Sequence, residues 1–294
     1  MDRFDDMAMF QIIARTGTIS ATAGELNVAP SAVSRRLKAL EERLGVQLLQ
    51  RTTRQMQLTD AGITYLEGAG QVLGALEALE SDLQAGAGTL SGTVRITAPL
   101  SFGLIALPDV LDSFMRQHPG VFIDLTLTDV TVDLVAEGFD LALRIGVLSN
   151  SSLIARRLCG VDFAACASPA FLKTAGKIET PADLDGLPGC IYANKPQGAV
   201  LPWKRNGEQG QVVLRPVFRS NNGDVLRDLA VRGHGIVCEP RFILADAIDR
   251  GDLVELLPEY KWLGADLHAV YPPTAHMPRR VRAVIDHVAA ALKL

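Results

Sequence analysis

Apolar residues in the first sixty positions recur at the spacing of short helices. Phe4, Met7, Phe10, Ile13 and Ala14 fall on one helical face. Gly17 can end that helix in the left-handed conformation that suits a C′ residue. Thr18 or Ser20 can cap a second helix carrying Ala21, Ala23 and Leu26. Asn27-Val28-Ala29 is a tight connection, and Pro30 fits the first turn of a third helix, where its missing N–H is no loss. Val33, Leu37, Leu40 and Leu44 step by 4, 3 and 4 along that helix and are expected to be buried; Gly45 stops it. Arg51–Thr59 then alternates like a small hairpin.

The rhythm changes after residue 59. From Asp60 to Ala85 no proline interrupts the chain, and Tyr65, Ala69, Val72, Leu76, Leu79 and Leu83 step by 4, 3, 4, 3 and 4. That period of 3.5 is the seam of a two-stranded coiled coil and predicts a dimerisation helix. Gly68, Gly70 and Gly74 lie inside this helix with the wrong spacing for a nucleotide loop. Gly86–Gly92 reads as a flexible hinge. Beyond it strands and helices alternate. Strands are expected at 93–98, 121–128, 140–145, 161–167, 189–193, 236–239 and 267–271. Helices are expected at 102–117, 131–137, 224–232 and 279–293. The pattern predicts an α/β domain with a largely parallel sheet.

Charge adds to this picture only locally. The chain has 294 residues, is 48% hydrophobic and 21% charged, and carries a formal net charge of −4. Between Ser31 and Arg54, however, six basic residues (Arg35, Arg36, Lys38, Arg43, Arg51, Arg54) face two acidic ones (Glu41, Glu42). The third helix presents Pro30, Ser31, Ser34, Arg35 and Lys38 away from its apolar stripe, with Arg36 on the flank. Small hydroxyls let a helix end approach base edges, and arginine and lysine reach phosphates or guanine. Arg51, Thr52, Thr53 and Arg54 would form a basic wing beside a groove.

Other classes are poorly supported. No apolar run is long enough to span a membrane. The start, Met1-Asp2-Arg3-Phe4-Asp5-Asp6, is acidic and lacks the apolar stretch of a secretory signal, so a cytoplasmic location is expected. Cys159, Cys166, Cys190 and Cys238 form no C-x-x-C pair, and the five histidines show no metal-ligand spacing; no cofactor or metal is expected. No serine has glycine at both −2 and +2, no phosphate-binding G-x-x-x-x-G-K-[ST] loop occurs, and no carboxylate pair stands out, so an enzyme is not expected. A small-molecule receptor without DNA function is the other alternative, and the basic head argues against it.

Ala21-Thr22-Ala23-Gly24-Glu25-Leu26-Asn27-Val28, Ser31-Ala32-Val33-Ser34-Arg35-Arg36-Leu37, Leu40-Glu41, Leu44-Gly45-Val46, Arg51-Thr52-Thr53-Arg54 and Leu58-Thr59-Asp60-Ala61-Gly62 together resemble the LysR-type transcriptional regulators. The resemblance continues through Asp133–Gly146. Three positions depart from it. Ala29 and Pro30 stand where the family often has Ser and Gln, which removes a capping side chain and a base-reading amide. Leu49 stands where Phe is common.

The resemblance implies an N-terminal winged helix-turn-helix (1–59), a linker helix and hinge (60–91), and a two-subdomain domain like a periplasmic binding protein (92–294). Subdomain I would be 92–160 plus 266–294 and subdomain II 161–265, joined by crossings near 155–161 and 260–266. The partners it implies are double-stranded DNA, a small-molecule effector with an organic anion as one candidate, and further copies of the chain as dimers assembling into tetramers. Ligands in such folds sit in the crevice at strand C-termini. The expected lining is Pro99, Leu100, Ser101 and Phe102, Arg144 and Gly146 from one subdomain. From the other come Asn194, Ser220 and Asn221, with Trp203 closing the site. Free N–H groups at the helix start by Ser101 would cradle an anion.

Overall fold

A computed structural model describes residues 2–51, 56–84, 90–146, 152–195, 198–273 and 277–292. The head opens with α1 (Arg3–Thr16), α2 (Ile19–Glu25) and α3 (Pro30–Leu44). Asp2 caps α1 by accepting from the Phe4 N–H, and Thr18 caps α2 by accepting from the Ala21 N–H. No side chain caps α3, and Pro30 occupies its first turn. Gly17 and Gly45 end α1 and α3 at φ of 68° and 72°, a region that favours glycine. Met9, Phe10, Ile13, Ala23, Val33, Leu37 and Leu40 close a core with Leu48, Leu49 and Leu66. The expected burial of Leu44 fails, and Phe4 is exposed at the other end of the head's helical stripes. Phe4 lies on the first turn of α1 and Leu44 is the last residue of α3, and both are exposed because their stripes have run past the core.

A short antiparallel pair follows, β1 (Leu49–Arg51) and β2 (Met56–Leu58). Glu41 Oε1 anchors its entry by accepting from the Leu48 and Leu49 N–H groups. Thr52, Thr53 and Arg54, expected at the tip of this wing, lie outside the described residues, as does the side chain of Arg51. Helix α4 (Asp60–Gln84) has 25 residues, about 38 Å of length at the usual rise. Its first half does not form a free seam. Tyr65 packs edge-on against Phe10 at 5.4 Å, and Leu66 and Ala69 are buried, because this stretch closes the head's own core over α1. Further along, Val72 and Leu79 are exposed and Leu76 is half-buried. The side chain of Leu83 is outside the described residues.

The rest of the chain forms two α/β lobes with mixed sheets, not one largely parallel sheet. Lobe I contains β3 (Ser91–Ala98), β4 (Gly120–Leu127), β5 (Leu141–Ile145), β6 (Ile154–Gly160) and β15 (Asp266–Tyr271), in the order β4-β3-β5-β15-β6. The first three are mutually parallel, and β15 runs antiparallel between β5 and β6. Helices α5 (Leu100–Ile105), α6 (Leu107–Gln117) and α11 (Arg279–Ala291) bury Phe102, Phe114, Val284 and Ile285 against Val94, Ile96, Leu141 and Leu143. The single helix expected at 102–117 is thus two, with Pro108 in the first turn of the second. The helix expected at 131–137 is only α7 (Leu134–Glu137), capped by Asp133.

Lobe II is built on β7 (Phe163–Ala167), β8 (Pro188–Tyr192), β9 (Val200–Arg205), β10 (Glu208–Val213), β11 (Arg215–Ser220), β12 (Ile236–Pro240) and β14 (Lys261–Trp262). Their order is β10-β9-β14-β7-β12-β8-β11, and β13 (Val254–Glu255) pairs with β7 off this path. Helices α8 (Pro169–Ala175), α9 (Gly223–Val231) and α10 (Arg241–Asp249) complete it. The segment read as a crossing near residue 155 is strand β6, and the chain leaves the lobe I sheet at Gly160 and rejoins it at Asp266.

Candidate nucleic-acid interface and ligand crevice

The head separates its basic residues into two sets. Asp6, only 1% exposed, sits under α3 and holds Arg36 at 3.1 Å and Arg43 at 3.3 Å. Arg36 is therefore half-buried and committed to an ion pair, whose attraction offsets the cost of burying the carboxylate. Arg35 is exposed and has no ion-pair partner among the described residues. Lys38 is exposed and reaches Glu42 at 3.6 Å one turn on, a contact that contributes little at a surface. Pro30 and Ser31 are exposed and Ser34 half-buried. The N-terminal half of α3 thus presents a proline, two small hydroxyls and two cations on one edge, while Val33, Leu37 and Leu40 hold the opposite edge in the core. This amphipathic split was legible in the sequence. The burial of Asp6 was not, because Asp5 and Asp6 read alike until tertiary contacts distinguish them.

Between the lobes, the strand ends bring several expected residues together. Ser101 Oγ donates to Asp224 at 2.6 Å, and Asn194 Nδ2 donates to the Asp129 carbonyl at 3.0 Å; both bonds cross from one lobe to the other. Arg144 lies at the end of β5, with Nη1 at 3.5 Å from the Thr128 carbonyl and a buried Nη2 without a partner among the described residues. Desolvation lowers its pKa, opposed by the charges of Asp129 and Glu137. Thr97 on neighbouring β3 also buries an unpartnered hydroxyl. Ser220 accepts from the Asn222 N–H and Asn222 caps α9, so this turn is locally satisfied, with Asn221 exposed beside it. Gly146 donates its N–H to the Asp266 carbonyl, and Pro99 precedes α5.

Three expectations change here. The start of α5 is not a free anion cradle: the Asp129 carboxylate accepts from the Leu100 N–H at 3.1 Å and supplies the negative charge itself. Phe102 is 1% exposed in the lobe I core and meets Phe242 of lobe II at 6.1 Å, so it packs the lobes together without lining the crevice. Trp203 lies in β9 against Tyr260 at 5.2 Å, over Gly210, and serves the lobe II core.

Sequence reasoning missed the crevice acids. Asp129 and Asp224 both lie within electrostatic range of Glu239. Glu239, 4% exposed at the end of β12, has its carboxyl pushed up to about 8 by burial, with Lys195 pulling it down and Asp129 and Asp224 adding to the rise. Its position just before Pro240, at a strand's C-terminal end, was the available signal. Cys166, Cys190 and Cys238 are driven by burial to about 12, 11 and 12, which leaves them as inert core thiols at neutral pH.

Comparison with known proteins places these two sites in context. Residues 4–63 match the model described as "Bacterial regulatory helix-turn-helix protein, lysR family", and residues 87–293 match that of the LysR substrate binding domain. An uncharacterized HTH-type transcriptional regulator of Haemophilus influenzae is 34% identical over 97% of this chain and 99% of its own. The regulator PtxR of Pseudomonas aeruginosa is 35% identical over 94% of this chain and 89% of its own. Among solved structures, the full-length virulence activator AphB of Vibrio cholerae is similar at a TM-score of 0.59 and 25% identity, covering 99% of this chain and 100% of its own. CrgA from Neisseria meningitidis is similar at 0.54 and 30%, covering 98% and 96%.

Proposed function

The chain belongs to the LysR family of bacterial transcription regulators, and on that premise we propose that α3 enters the major groove with Ser31, Ser34, Arg35 and Lys38, flanked by a wing carrying Arg51 to Arg54. The carrying observation is the sorting of the head's arginines: Asp6 pairs with Arg36 and Arg43, and Arg35 is exposed with no ion-pair partner among the described residues at the hydroxyl-bearing end of α3. Helix-turn-helix heads dock the N-terminal part of their second recognition element in this way. A duplex selected from a random library supplies the test. Arg35→Ala should weaken binding at every salt concentration and lower the slope of log affinity against log salt by about one unit, as one phosphate contact is lost. An unchanged slope and affinity would remove this interface. Asp6→Asn serves as the contrast, because it should lower head stability before it touches the salt slope.

The regulatory reading is that a small molecule enters the crevice between lobes and shifts the balance between its closed and open forms. Arg144 supports an anionic group on that ligand, since its buried Nη2 has a hydrogen to donate and no acceptor among the described residues. Ser101, Asn194, Ser220 and Asn221 are the polar groups that would fix orientation. The protein acts in the cytoplasm in this reading; among the described residues no helix is long and apolar enough to cross a membrane.

Two exposed apolar surfaces support assembly. Val72 and Leu79 stand exposed along α4, with Leu76 beside them. The edge strands β4 and β11 expose Phe122, and Val217 with Phe218. Pairing a second copy along α4 gives a dimer, and pairing lobes through the edge strands extends it to a tetramer. Leu79→Glu should convert the smallest assembly seen by analytical ultracentrifugation from dimer to monomer; retention of the dimer would move the pairing surface away from α4.

A further inference from the structure

One segment of lobe I touches both the crevice and the DNA-binding head. Thr128–Glu137 begins in the crevice, where Asp129 accepts from Asn194 of lobe II through its carbonyl and from the Leu100 N–H through its carboxylate. Four residues later Asp133 caps α7, accepting from the Val135 and Ala136 N–H groups. Within α7, Leu134 is buried on Ala142 and Val270 of the lobe I sheet, on the face of β5 that also bears Arg144 two residues on. Ala136 packs instead against the core of the head, and α7 touches both α1 and α4. Glu137 ends the helix within electrostatic reach of Arg144. Arg95 clamps that end, with Nη1 donating to the Glu137 and Gly138 carbonyls at 3.0 Å and Nε paired to Asp124 at 3.1 Å.

The seat on the head is a helix of four residues, with a second contact where α11 meets α4. Beside it lies a groove of about 940 Å³ between the head and lobe I, lined on one side by Gln11, Arg15 and Glu67 and on the other by Arg95, Asp124 and Glu137. A small seat beside an open groove lets one body rock on the other. A contact flush across the whole face would not. The clamped, capped α7 is short and braced at both ends, so movement of the 128–133 loop is passed on to Ala136 as displacement.

The geometry points to α7 as the coupling element of this chain: a lever held at its crevice end by lobe II through Asn194, and seated at its other end on the DNA-binding head through Ala136. Opening of the crevice breaks the Asn194–Asp129 bond, releases the loop and alters how α7 bears on α1 and α4. Coupling of this kind is reciprocal, so a change at the head is felt in the crevice. The inference rests on reading the crevice as the effector site, but its test needs neither effector nor DNA.

Hydrogen exchange measured on the full-length chain supplies that test. Ala136→Glu puts a carboxylate against the head core and should speed exchange of α1 and α4 amides about threefold or more, as locally destabilised units do. It should also speed exchange of the Leu100 amide in the crevice. Asn194→Ala changes an exposed side chain in lobe II and should speed exchange at Val135 and Ala136 and, across the contact, in α1 and α4. If Asn194→Ala acts only within residues 128–133 and leaves α1 and α4 at wild-type rates, the lever is overturned. Ala136→Gly removes the methyl without adding charge and stands in if the glutamate prevents folding. A metabolite screen that finds no ligand for the crevice would sink the effector reading and leave this coupling result standing.

Discussion

Glu239→Gln is expected to stabilise the C-terminal domain, relative to wild type, by about 3–4 kcal/mol more at pH 8 than at pH 5. The sign follows from which state holds the proton. In the folded chain the Glu239 carboxyl titrates at about 8 rather than at its ordinary 4.5, chiefly because burial disfavours its charged form. Between those values the folded state keeps a proton that the unfolded chain has released. Stability therefore falls as pH rises through this window, and the loss is nearly complete above pH 8. Lys195 opposes the rise, while Asp129 and Asp224 reinforce it. Arg227 is committed to Asp224 at 2.8 Å. Glutamine is the near-isostere of the neutral acid, so the variant should keep the fold and lose the slope. The acids with depressed values, Asp183 and Asp266, act with the opposite sign and only in acid, where their protonation removes stability. Denaturant melts of both proteins at half-unit steps from pH 5 to 8.5 would check this. Parallel curves would mean that Glu239 is ionised in the folded protein, and the crevice would then carry one more negative charge than described.

That buried acid also marks where sequence reading ran out. The head was legible because its code is local: Pro30 at a helix start, leucines at 4, 3, 4 and glycines at two helix ends each act within a turn or two. The alternation of strands and helices indicated an α/β domain, and the family resemblance supplied its two lobes and part of the crevice. What neither could supply was partnership. Asp6 with Arg36, Asp129 with Leu100, and Ser101 with Asp224 are 30, 29 and 123 residues apart. Each reassigns a residue that looked free. Tyr65 and Ala69 satisfied the period of a coiled coil and also the needs of a small core lacking a fourth wall; the core took them. Trp203 was singled out for its type alone, and its neighbours Gly210 and Tyr260 explain it as packing.

Gly62→Ala is expected to lower the melting temperature of the head by roughly 8–15 °C, corresponding to about 2 kcal/mol in a unit of this size, while the melting of the two lobes stays put. On helix propensity alone the change should help, since alanine is favoured over glycine inside a helix by about 1 kcal/mol. The local contacts reverse this. A Cβ at Gly62 would lie 2.1 Å from the Leu48 carbonyl oxygen and 3.3 Å from a Leu58 methyl. The obstacle is backbone and cannot swing aside. That same oxygen accepts from the Thr59 N–H at 3.0 Å, and Thr59 Oγ1 both donates to the Gln47 carbonyl at 2.7 Å and accepts from the Gly62 N–H at 3.0 Å. The methyl therefore pushes the first turn of α4 off the β1 entry and strains all three bonds together. Leu48 and Leu66, both fully buried, would shift with it. A head of about sixty residues has little stability in reserve, so DNA binding should fail near 37 °C and return on cooling. Calorimetry on the full chain separates the outcomes. A head transition within about 2 °C of wild type would show that propensity wins, and that α4 is free to tilt away from the wing instead of being fixed to it at Leu48.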